Sequence, residues 1–378
     1  MKITHVIGSC SAGGAEIFTK SLLKELKNNG TNVELWVMSS IQKIAPSDSK
    51  KLNFEKAFVE ELRDSGVSVS FVGKRPKKDW ARTKRKLRQL YADSKSQLIH
   101  SHLESVSFHV CRAFGSYGLP LVQTIHNTRL SHPFVDRLFL KKHFSRYVAI
   151  SKKVAKVIES QFGEMEGKVC LIPNGVTVNL LQKDQFMQQR EKVGTLIAVG
   201  RLTQQKDYPN LLQAFRLLGK KLIARGKLVP QLWIVGEGEL RQEIEREIRE
   251  YELGEFVRLL GLRNDIPDLL EKADIYVMSS EWEGLSIALI EALAAGLPIV
   301  ATDAGSNDEV VVSEESGLIV PRKDPVALAK GILRLMEDYD LRSRFSQNAR
   351  ERAKEFSIER CAEKHIAMYE DVIRNSTS

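Results

Sequence analysis

Residues 279–298 read SSEWEGLSIALIEALAAGLP and combine a polar loop, a helix start and a helix stop. Ser286 is a good N-cap residue, the Ala, Leu and Ile residues after it form helices readily, Gly296 ends the helix and Pro298 prevents its continuation. A strand is predicted directly before this stretch, at residues 274–278, and another directly after it, at residues 298–302. The stretch therefore predicts a strand–loop–helix–strand unit of a parallel α/β sheet.

Short apolar runs alternate with longer segments of helical period along the whole chain, which is typical of βαβ units. In the first half, helices are expected to begin near residues 14, 53, 78, 104, 134 and 151. The remaining strands are expected at residues 2–7, 32–38, 67–72, 97–100, 120–125, 146–150, 168–172, 195–199, 231–235, 256–260 and 317–320. A polar stretch at residues 181–192 separates the two series. We therefore predict two doubly wound α/β domains, with ligands at the carboxyl ends of the strands and an active site in the cleft between the domains.

The composition is that of an ordinary globular protein of 378 residues, with 43% apolar and 28% charged residues. Its four cysteines lie far apart and form no CxxC pair, which favours neither a zinc ribbon nor a disulfide framework and fits a reducing compartment. The N-terminal residues read as a strand rather than a cleaved signal. The longest apolar stretch, residues 284–301, contains Glu291 and Pro298 and is a poor membrane span. A cytoplasmic protein is expected.

The charge is divided unevenly. Residues 1–180 hold 29 Lys and Arg against 15 Asp and Glu, a net +14, whereas residues 181–378 hold 28 against 33, a net −5. Residues 74–88 contain nine basic residues and one acid, with Trp80 among them, and residues 137–146 again mix basic and aromatic residues. Anionic lipid and nucleic acid are both candidate partners. Two such stretches in one half favour an anionic membrane surface, since no nucleic-acid recognition motif accompanies them.

Charged residues follow the predicted strands of the second half. Arg201 and Lys206 come after strand 195–199, and a guanidinium with an ammonium suits a diphosphate. Glu283 lies in the loop before the 286 helix, and Glu291 lies about five residues inside that helix. A carboxylate in an otherwise apolar, buried helix needs a partner, and the hydroxyl groups of a ligand would serve. Internal salt bridges, or a surface loop that is basic by chance, are the structural alternatives.

Glu283 and Glu291, with seven residues between them, form an E-x7-E signature, and the whole chain resembles the retaining glycosyltransferases of family 4, which have the GT-B fold. The resemblance extends over residues 13–16, 172–176, 199–206, 235–239, 273–277 and 283–298. It implies two Rossmann-like doubly wound domains facing across a cleft. One departure is visible, because many relatives read E-G-F-G where this chain has Glu-Gly-Leu-Ser at residues 283–286.

The resemblance also implies roles for individual residues. The catalytic residues would be His126, Arg201, Lys206 and Glu283, with His126 close to the reacting sugar. Glu16 and His102 would lie near the acceptor. The donor would be bound by Gly13, Gly14, Arg201, Lys206, Gly236, Arg263, Glu283, Gly284, Leu285, Ser286, Ile287 and Glu291. Glu291 would hold the ribose hydroxyls, and Arg201 with Lys206 the diphosphate.

Two patterns superficially suggest a metal. His100, His102 and His126 fall near the strand ends of the first domain, but their spacing brings no carboxylate, and hydrogen bonding of neutral imidazoles is the commoner fate. Asp338-Tyr-Asp340 matches the D-x-D motif of another transferase fold, yet its position between two helical segments predicts an interhelical turn. No metal site and no cofactor are therefore expected, and cations with a helix terminus would take the place of a divalent ion.

The expected domains are residues 1–185 for acceptor binding and 186–355 for donor binding, with a helix at about 356–378 packed back on the first domain. The expected function is that of a retaining glycosyltransferase with a nucleotide-sugar donor, commonly a UDP-sugar in relatives, and a lipid-linked or polysaccharide acceptor of surface-glycan assembly. Peripheral attachment to the inner face of the cytoplasmic membrane is expected. The alternatives are a soluble GT-B sugar or sugar-phosphate synthase or an epimerase, and, from another class, a nucleic-acid-binding protein.

Overall fold

The computed structural model describes residues 1–75, 79–129, 141–163, 165, 167–178 and 193–376. The chain divides into two compact units. Unit 1 comprises Met1–Gly175 with Ile358–Ser378, and unit 2 comprises Val176–Ser357. The polar boundary predicted at residues 181–192 and the helix predicted near residue 134 lie outside the described residues.

Unit 1 contains a seven-stranded sheet whose described strands pair in parallel in the order β3-β2-β1-β4-β5-β6-β7. The strands are confirmed where the sequence predicts them. Helix α3 begins at Ser49 rather than near residue 53, because the Asp48 carboxylate accepts a hydrogen bond from the Lys51 amide and caps the helix earlier. The elements are β1 Lys2–Ile7, α1 Gly14–Asn28, β2 Asn32–Val37, α2 Ile41–Ile44, α3 Ser49–Asp64, β3 Ser68–Phe71, α4 Trp80–Ser94, β4 Leu98–His102, α5 Glu104–Phe114, β5 Leu121–Ile125, β6 Arg146–Ala149, α6 Lys152–Phe162, β7 Val169–Leu171 and, at the end of the chain, α14 Ile358–Ser376.

Unit 2 contains a six-stranded parallel sheet in the order β10-β9-β8-β11-β12-β13. Large side chains such as Phe215 and Phe345 are fully buried in the core around this sheet. The elements are β8 Thr195–Val199, α7 Tyr208–Ile223, β9 Gln231–Val235, α8 Arg241–Glu250, β10 Val257–Gly261, α9 Ile266–Lys272, β11 Ile275–Met278, α10 Ile287–Ala294, β12 Ile299–Thr302, α11 Asn307–Val310, β13 Gly317–Val320, α12 Pro325–Glu337 and α13 Tyr339–Ala353.

Each sheet reverses its strand order at its first strand. In unit 1, β1 lies between β2 and β4, and in unit 2, β8 lies between β9 and β11. The loops that follow the two neighbouring strands leave to opposite sides at such a point and open a crevice at the carboxyl edge of the sheet. These two edges are therefore where the topology places ligand sites.

Helix α14 belongs to unit 1 although it ends the chain. It packs against α1, and its Asp371 forms an ion pair of 2.7 Å with Arg146 at the start of β6. Its buried face carries His365 and Tyr369, and the Tyr369 hydroxyl reaches side chains of β1 and β4. Among the described residues, no helix combines the length and the apolar character needed to cross a bilayer.

Helix α10 ends as the sequence predicts. Gly296 adopts a left-handed conformation with φ +68°, its amide bonds the Leu293 carbonyl at 2.8 Å, and the Leu297 amide bonds the Ala292 carbonyl at 3.0 Å. These two backbone hydrogen bonds together form a Schellman motif. The helix also begins where the sequence predicts, with Ser286 at the N-cap position, but the Ser286 side chain accepts no capping hydrogen bond from the helix backbone.

The substitution Gly296→Ala tests this helix end. A Cβ at residue 296 would lie 2.4 Å from Arg350 Nε, and the alanine would have to adopt a left-handed conformation. We expect a loss of about 1–3 kcal/mol in the free energy of unfolding, measured by urea denaturation. Gly254→Ala is the matched control, because a Cβ at residue 254 would have nothing within 4 Å of it. Equal midpoints for the two variants would contradict the prediction.

Candidate functional site

The carboxyl edge of the unit 2 sheet holds a buried ion pair. Lys206 follows β8 and Glu283 follows β11, and Lys206 Nζ donates to Glu283 Oε1 at 2.6 Å. The Lys206 and Glu283 side chains are 14% and 6% exposed, so water screens this pair weakly. Two further donors hold the carboxylate, Ser280 Oγ at 2.7 Å from Oε1 and Gln205 Nε2 at 3.2 Å from Oε2. The carboxylate is thus held in one orientation at the point where the strand order reverses.

Two buried tyrosines lie close to this ion pair. Tyr208 Oη donates to the Gly200 carbonyl at 3.0 Å, and Tyr276 Oη donates to the Val199 carbonyl at 3.4 Å. Burial raises the pKa of Tyr208, with the Glu283 charge as a second cause, and burial also holds the pKa of Tyr276 well above its usual value. Both phenols therefore stay neutral and act as hydrogen-bond donors.

The loops after β8 and β9 are in direct backbone contact. Gly236 has φ +144°, and a Cβ there would lie 2.0 Å from the Gly200 carbonyl oxygen. The Gly200 amide bonds the Val235 carbonyl at 2.9 Å. No larger residue fits at position 236, which explains the glycine in this loop. Arg201, one residue further along the first loop, is exposed, and among the described residues its guanidinium has no hydrogen-bond or ion-pair partner.

The other residues predicted to bind the donor occupy different settings. Gly284, Leu285, Ser286 and Ile287 are buried in the loop and first turn of α10. Glu291 is half-buried, between the fully buried Ile290 and Ala292 of α10. The exposed Arg263 guanidinium forms a bidentate ion pair with the Asp265 carboxylate, with N–O distances of 2.7 and 2.5 Å.

In unit 1, the glycine-rich loop leads into α1. Gly13 is the N-cap of α1 and Gly14 its first residue, while Glu16 is buried in the first turn. The Glu16 carboxylate folds back over the loop, since a Cβ on Gly13 would lie 2.1 Å from Glu16 Oε2. An acid at this position interacts favourably with the positive end of the helix. Gly13, Gly14 and Glu16 therefore lie together at the end of β1.

Histidines of β1 and β4, the histidine directly after β5 and one histidine of α14 form a cluster in this unit. His126 Nε2 lies 3.2 Å from His102 Nδ1, and His102 Nε2 lies 3.0 Å from His5 Nδ1. His5 Nε2 lies 3.3 Å from Tyr369 Oη. Both ring nitrogens of His102, a predicted acceptor-binding residue, are thus within hydrogen-bond distance of other histidines, and its side chain is fully buried.

This succession of hydrogen-bond contacts continues beyond Tyr369. Tyr369 Oη lies 2.7 Å from His100 Nδ1, and His100 Nε2 lies 2.7 Å from Thr124 Oγ1. We call this series the histidine chain. It consists, in order, of His126, His102, His5, Tyr369, His100 and Thr124. His365 packs beside it and bonds the Cys361 carbonyl through Nδ1 at 2.9 Å.

The surroundings of the cluster favour the neutral form of each imidazole. Burial, with the neighbouring His365 as a second cause, lowers the pKa of His5 to about 3 and that of His126 to about 3. Burial lowers the pKa of His365 to about 4, and burial and the other histidines hold the pKa values of His100 and His102 well below the usual value. The residue His126 as a whole is half-buried.

The two metal-like patterns of the sequence have structural explanations. Ring nitrogens of His5, His100 and His102 lie within 4.8 Å of one another, a set that includes His5 rather than the predicted His126. All three residues already form hydrogen bonds with neighbouring side chains. Asp338 lies between α12 and α13, and its carboxylate caps α13 by accepting from the Leu341 amide at 2.9 Å. Tyr339 and Asp340 already belong to the first turn of α13, so the predicted turn is limited to Asp338.

Sequence reasoning missed Gln205, Ser280, His5 and Tyr369. Gln205 and Ser280 are ordinary polar residues whose contact with Glu283 depends on the pairing of β8 with β11. His5 gave a usable signal, because β1 and β4 each carry an inward-facing histidine and His5 pairs with His100 across the two strands. Tyr369 lies 364 residues from His5, and no local pattern connects them.

Comparison with known proteins places this architecture in a family. Residues 12–180 match the family model described as Glycosyltransferase Family 4, and residues 182–352 match the one described as Glycosyl transferases group 1. Both halves of the chain are thus covered by glycosyltransferase families. The chain belongs to the GT-B glycosyltransferases.

Curated relatives resemble this glycosyltransferase along most of its length. It is 26% identical to the Campylobacter jejuni enzyme GalNAc-alpha-(1->4)-GalNAc-alpha-(1->3)-diNAcBac-PP-undecaprenol alpha-1,4-N-acetyl-D-galactosaminyltransferase, over 98% of this chain and 99% of the relative. It is 25% identical to the Escherichia coli UDP-Gal:alpha-D-GlcNAc-diphosphoundecaprenol alpha-1,3-galactosyltransferase, over 76% and 79%. The similarity therefore includes both units.

Solved structures share the fold of this glycosyltransferase. HepE of Anabaena, solved in complex with UDP-glucose, matches with a TM-score of 0.81 at 20% identity, over 98% of this chain and all of the other. Sucrose-phosphate synthase of Thermosynechococcus elongatus matches with a TM-score of 0.79 at 19% identity, over 99% and 100%. At these identities the likeness shows the GT-B fold of two Rossmann-like α/β domains.

The histidine cluster predicts a loss of stability in mild acid. The pKa values of the fully buried His5, His100, His102 and His365 are lowered in the folded state, so the unfolded chain takes up protons first as the pH falls below about 6.5. The stabilisation is complete above that pH and is lost as the pH falls through 6 towards 4. Each such histidine contributes about 1.4 kcal/mol per pH unit in this window.

Urea denaturation between pH 7.5 and pH 5, above the range where ordinary carboxylates titrate, measures this slope. His365→Gln should lower the slope by about one proton, that is about 1.4 kcal/mol per pH unit. His143→Gln, which replaces an exposed histidine of unit 1, is the control and should leave it unchanged. A free energy of unfolding that stays constant over this range would contradict the prediction.

Proposed function

We propose that this glycosyltransferase is a retaining enzyme that moves a sugar from a nucleoside-diphosphate donor, a UDP-sugar, to a lipid-linked or polysaccharide acceptor in surface-glycan assembly. The observation that carries the proposal is the meeting of Lys206, Glu283 and the start of α10 at the carboxyl edge of the unit 2 sheet. Cationic and anionic groups held there by burial suit a ligand that combines a diphosphate with sugar hydroxyls.

In this proposal, unit 2 binds the donor. The exposed Arg201 guanidinium is available to hold two phosphate oxygens, and Lys206 adds a second positive charge. Glu283 accepts hydrogen bonds from the sugar, and the half-buried Glu291 accepts them from the ribose. The peptide units at residues 284–287 lie at the positive end of α10, which favours a phosphate. Gly236 and the backbone near Arg263 complete the donor site.

The proposed chemistry is stabilisation of charge. As the bond between the sugar and the diphosphate breaks, negative charge develops on the departing nucleotide, and Arg201, Lys206 and the α10 terminus stabilise it. The acceptor hydroxyl attacks the same face of the sugar, which gives retention, and its proton passes to the departing phosphate. Two cations and a helix terminus supply the electrostatic role that a divalent ion has in other transferases, so we propose catalysis without a metal or cofactor.

Two observations support a lipid-linked acceptor. The Campylobacter jejuni and Escherichia coli relatives are named for substrates linked to undecaprenol through a diphosphate. In unit 1, one face of α4 carries Arg82, Arg85 and Lys86, at positions 3 and 4 residues apart, and Trp80 at its start is 45% exposed. A basic face with an exposed tryptophan suits an anionic membrane surface. We therefore propose peripheral attachment through unit 1. Residues 137–140 of the second basic stretch lie outside the described residues.

Donor binding is tested by a thermal-shift panel with UDP, GDP and ADP, each with and without EDTA. We expect a shift that is selective for UDP and insensitive to EDTA, because binding to the folded state raises the melting temperature. Arg201→Ala should weaken UDP binding by about 10- to 100-fold, the value of one charge-assisted contact. Glu291→Gln should weaken it as well.

Arg258→Ala is the matched control for Arg201, because Arg258 is an exposed arginine on β10 of the same unit. It should leave the UDP shift unchanged. Selective stabilisation by GDP or ADP would overturn the uridine assignment. A shift that requires a divalent ion would overturn the metal-independent mechanism, and stabilisation by a short oligonucleotide alone would favour a nucleic-acid-binding protein.

Membrane attachment is tested with phosphatidylcholine vesicles that contain or lack phosphatidylglycerol. The triple substitution Arg82→Ser, Arg85→Ser, Lys86→Ser should weaken sedimentation with the anionic vesicles by about 100-fold, since each basic residue near the surface contributes about 1 kcal/mol. Lys220→Ser, Lys221→Ser, Lys330→Ser removes the same charge from exposed positions of unit 2 and is the control. Equal sedimentation of both variants, or transfer to small soluble sugars without lipid, would contradict the proposed attachment.

A further inference from the structure

The loop that contains Glu283 lies between two other loops of unit 2. It follows β11, and β11 is paired with β8 on one side and with β12 on the other. Lys206 and Gln205, which follow β8, contact the Glu283 carboxylate directly. On the other side lie the last residue of β12 and the loop after it. We call residues 302–307 the support segment.

A path of hydrogen bonds connects the support segment to the Glu283 carboxylate. Thr302 Oγ1 donates to the Ser280 carbonyl at 2.7 Å, and Ser280 Oγ donates to Glu283 Oε1 at 2.7 Å. Thr302 and Ser280 are both fully buried, so water does not compete for these bonds. Asn307 Nδ2 donates to the Thr302 carbonyl at 3.0 Å and fixes the main chain at the start of the segment. The orientation of Glu283 therefore depends on Thr302 through one intermediate residue.

The support segment also packs directly on the main chain of the Glu283 loop. Gly305 has φ +52°, and a Cβ at residue 305 would lie 2.0 Å from the Glu283 carbonyl oxygen. The Ser306 amide donates to the Gly284 carbonyl at 3.2 Å. Only glycine allows this approach of the two loops. The segment thus holds the main chain of Glu283 and Gly284 as well as the carboxylate.

We propose that Thr302 and Gly305 are positioning residues of the donor site, which hold the Glu283 carboxylate and the adjoining main chain where the sugar of the donor binds. They act through Glu283 and Gly284 rather than on the substrate. The sugar contact rests on the proposed function. The support of Glu283 by the segment is a property of unit 2 by itself.

The physical reason for such a support is the precision that a reacting sugar requires. A polar group displaced by about 1 Å loses much of its hydrogen bond to the ligand, and such a shift can lower a reaction rate by about 100-fold. Apolar packing excludes water but does not fix the direction of a carboxylate. The contacts of the support segment end on polar atoms of the Glu283 loop, so they fix both its place and its orientation.

The decisive variant is Thr302→Val, which keeps the shape of the side chain and removes the hydroxyl. UDP release is measured with UDP-glucose, UDP-galactose and UDP-N-acetylgalactosamine, with water as the acceptor, and the affinity for free UDP is measured by calorimetry. We expect kcat for UDP release to fall by about tenfold, the loss of one hydrogen bond. The affinity for free UDP should stay unchanged, because UDP lacks the sugar.

Thr302→Ser keeps the hydroxyl and should restore most of the rate, which a loss caused by altered packing alone would not show. Thr195→Val is the matched control, because Thr195 begins β8 at the opposite edge of the same sheet. It should leave both quantities unchanged. Equal rates for Thr302→Val and the wild type, or an equal loss in Thr302→Ser, would overturn the role of the hydroxyl.

Gly305→Ala tests the second contact. Its Cβ should displace the Glu283 main chain and lower kcat by about tenfold or more. Gly226→Ala is the matched control, because Gly226 has a similar φ of +64° but a Cβ there would have nothing within 4 Å. The comparison separates the contact with Glu283 from backbone strain. Equal rates for the two variants would overturn the role of Gly305.

Chemical labelling of Lys206 tests the support of Glu283 without any nucleotide. Its ammonium is paired with Glu283 and is 14% exposed, so it should react slowly with acetic anhydride. A displaced carboxylate lowers the lysine pKa and exposes the amine, and Thr302→Val and Gly305→Ala should each raise the rate of acetylation several-fold, measured by peptide mass spectrometry.

The two readouts separate the possible failures. Unchanged labelling of Lys206 in both variants would overturn the support of Glu283 by the segment. Faster labelling with unchanged UDP release would overturn its role for the sugar. A wild type that neither binds UDP nor releases it from any of these three UDP-sugars would contradict the proposed function, and the labelling would still test the support segment.

Discussion

The buried ion pair between Lys206 and Glu283 joins the two loops that open at the centre of the unit 2 sheet. Taking an ammonium and a carboxylate out of water is costly, and it is offset here by the short contact and by the donors of Ser280 and Gln205. Loss of either charge would leave the other buried without compensation, at a cost of about 3–5 kcal/mol. The pair forms because β8 lies beside β11, which brings the loops after these two strands together.

Unit 1 has the same topology at its carboxyl edge but a different chemistry. Its switch point is occupied by neutral imidazoles and a phenol instead of an ion pair. In the proposed function this difference suits two kinds of ligand group, since fixed charges suit a diphosphate whereas a neutral ring suits a hydroxyl. Both edges also contain strained backbone, Leu103 with φ 76° after β4 and Asp207 with φ 45° after Lys206. Such conformations persist where the surrounding structure fixes them and are frequent near ligand sites.

The strands were predictable because parallel strands buried on both faces must be short and apolar, and the stop of α10 was predictable because Gly296 and Pro298 act locally. The start of α3 was less predictable, since the Asp48 cap outweighs the apolar pattern. The half-buried position of Glu291 was less predictable, because it depends on which side of α10 packs against the sheet, and hydrophobicity averaged along the chain does not contain that direction.

The sequence by itself determined the alternation of strands and helices, the uneven charge of the two halves and the acids, cations and glycines that follow the strands, because these depend on residues close together in the chain. The tertiary structure alone decided which of them meet. Lys206 and Glu283 are 77 residues apart, and His5 and Tyr369 are 364 apart. Their contacts depend on strand order and on the docking of α14 on unit 1, and burial then turns ordinary polar side chains into a fixed ion pair and a hydrogen-bonded chain.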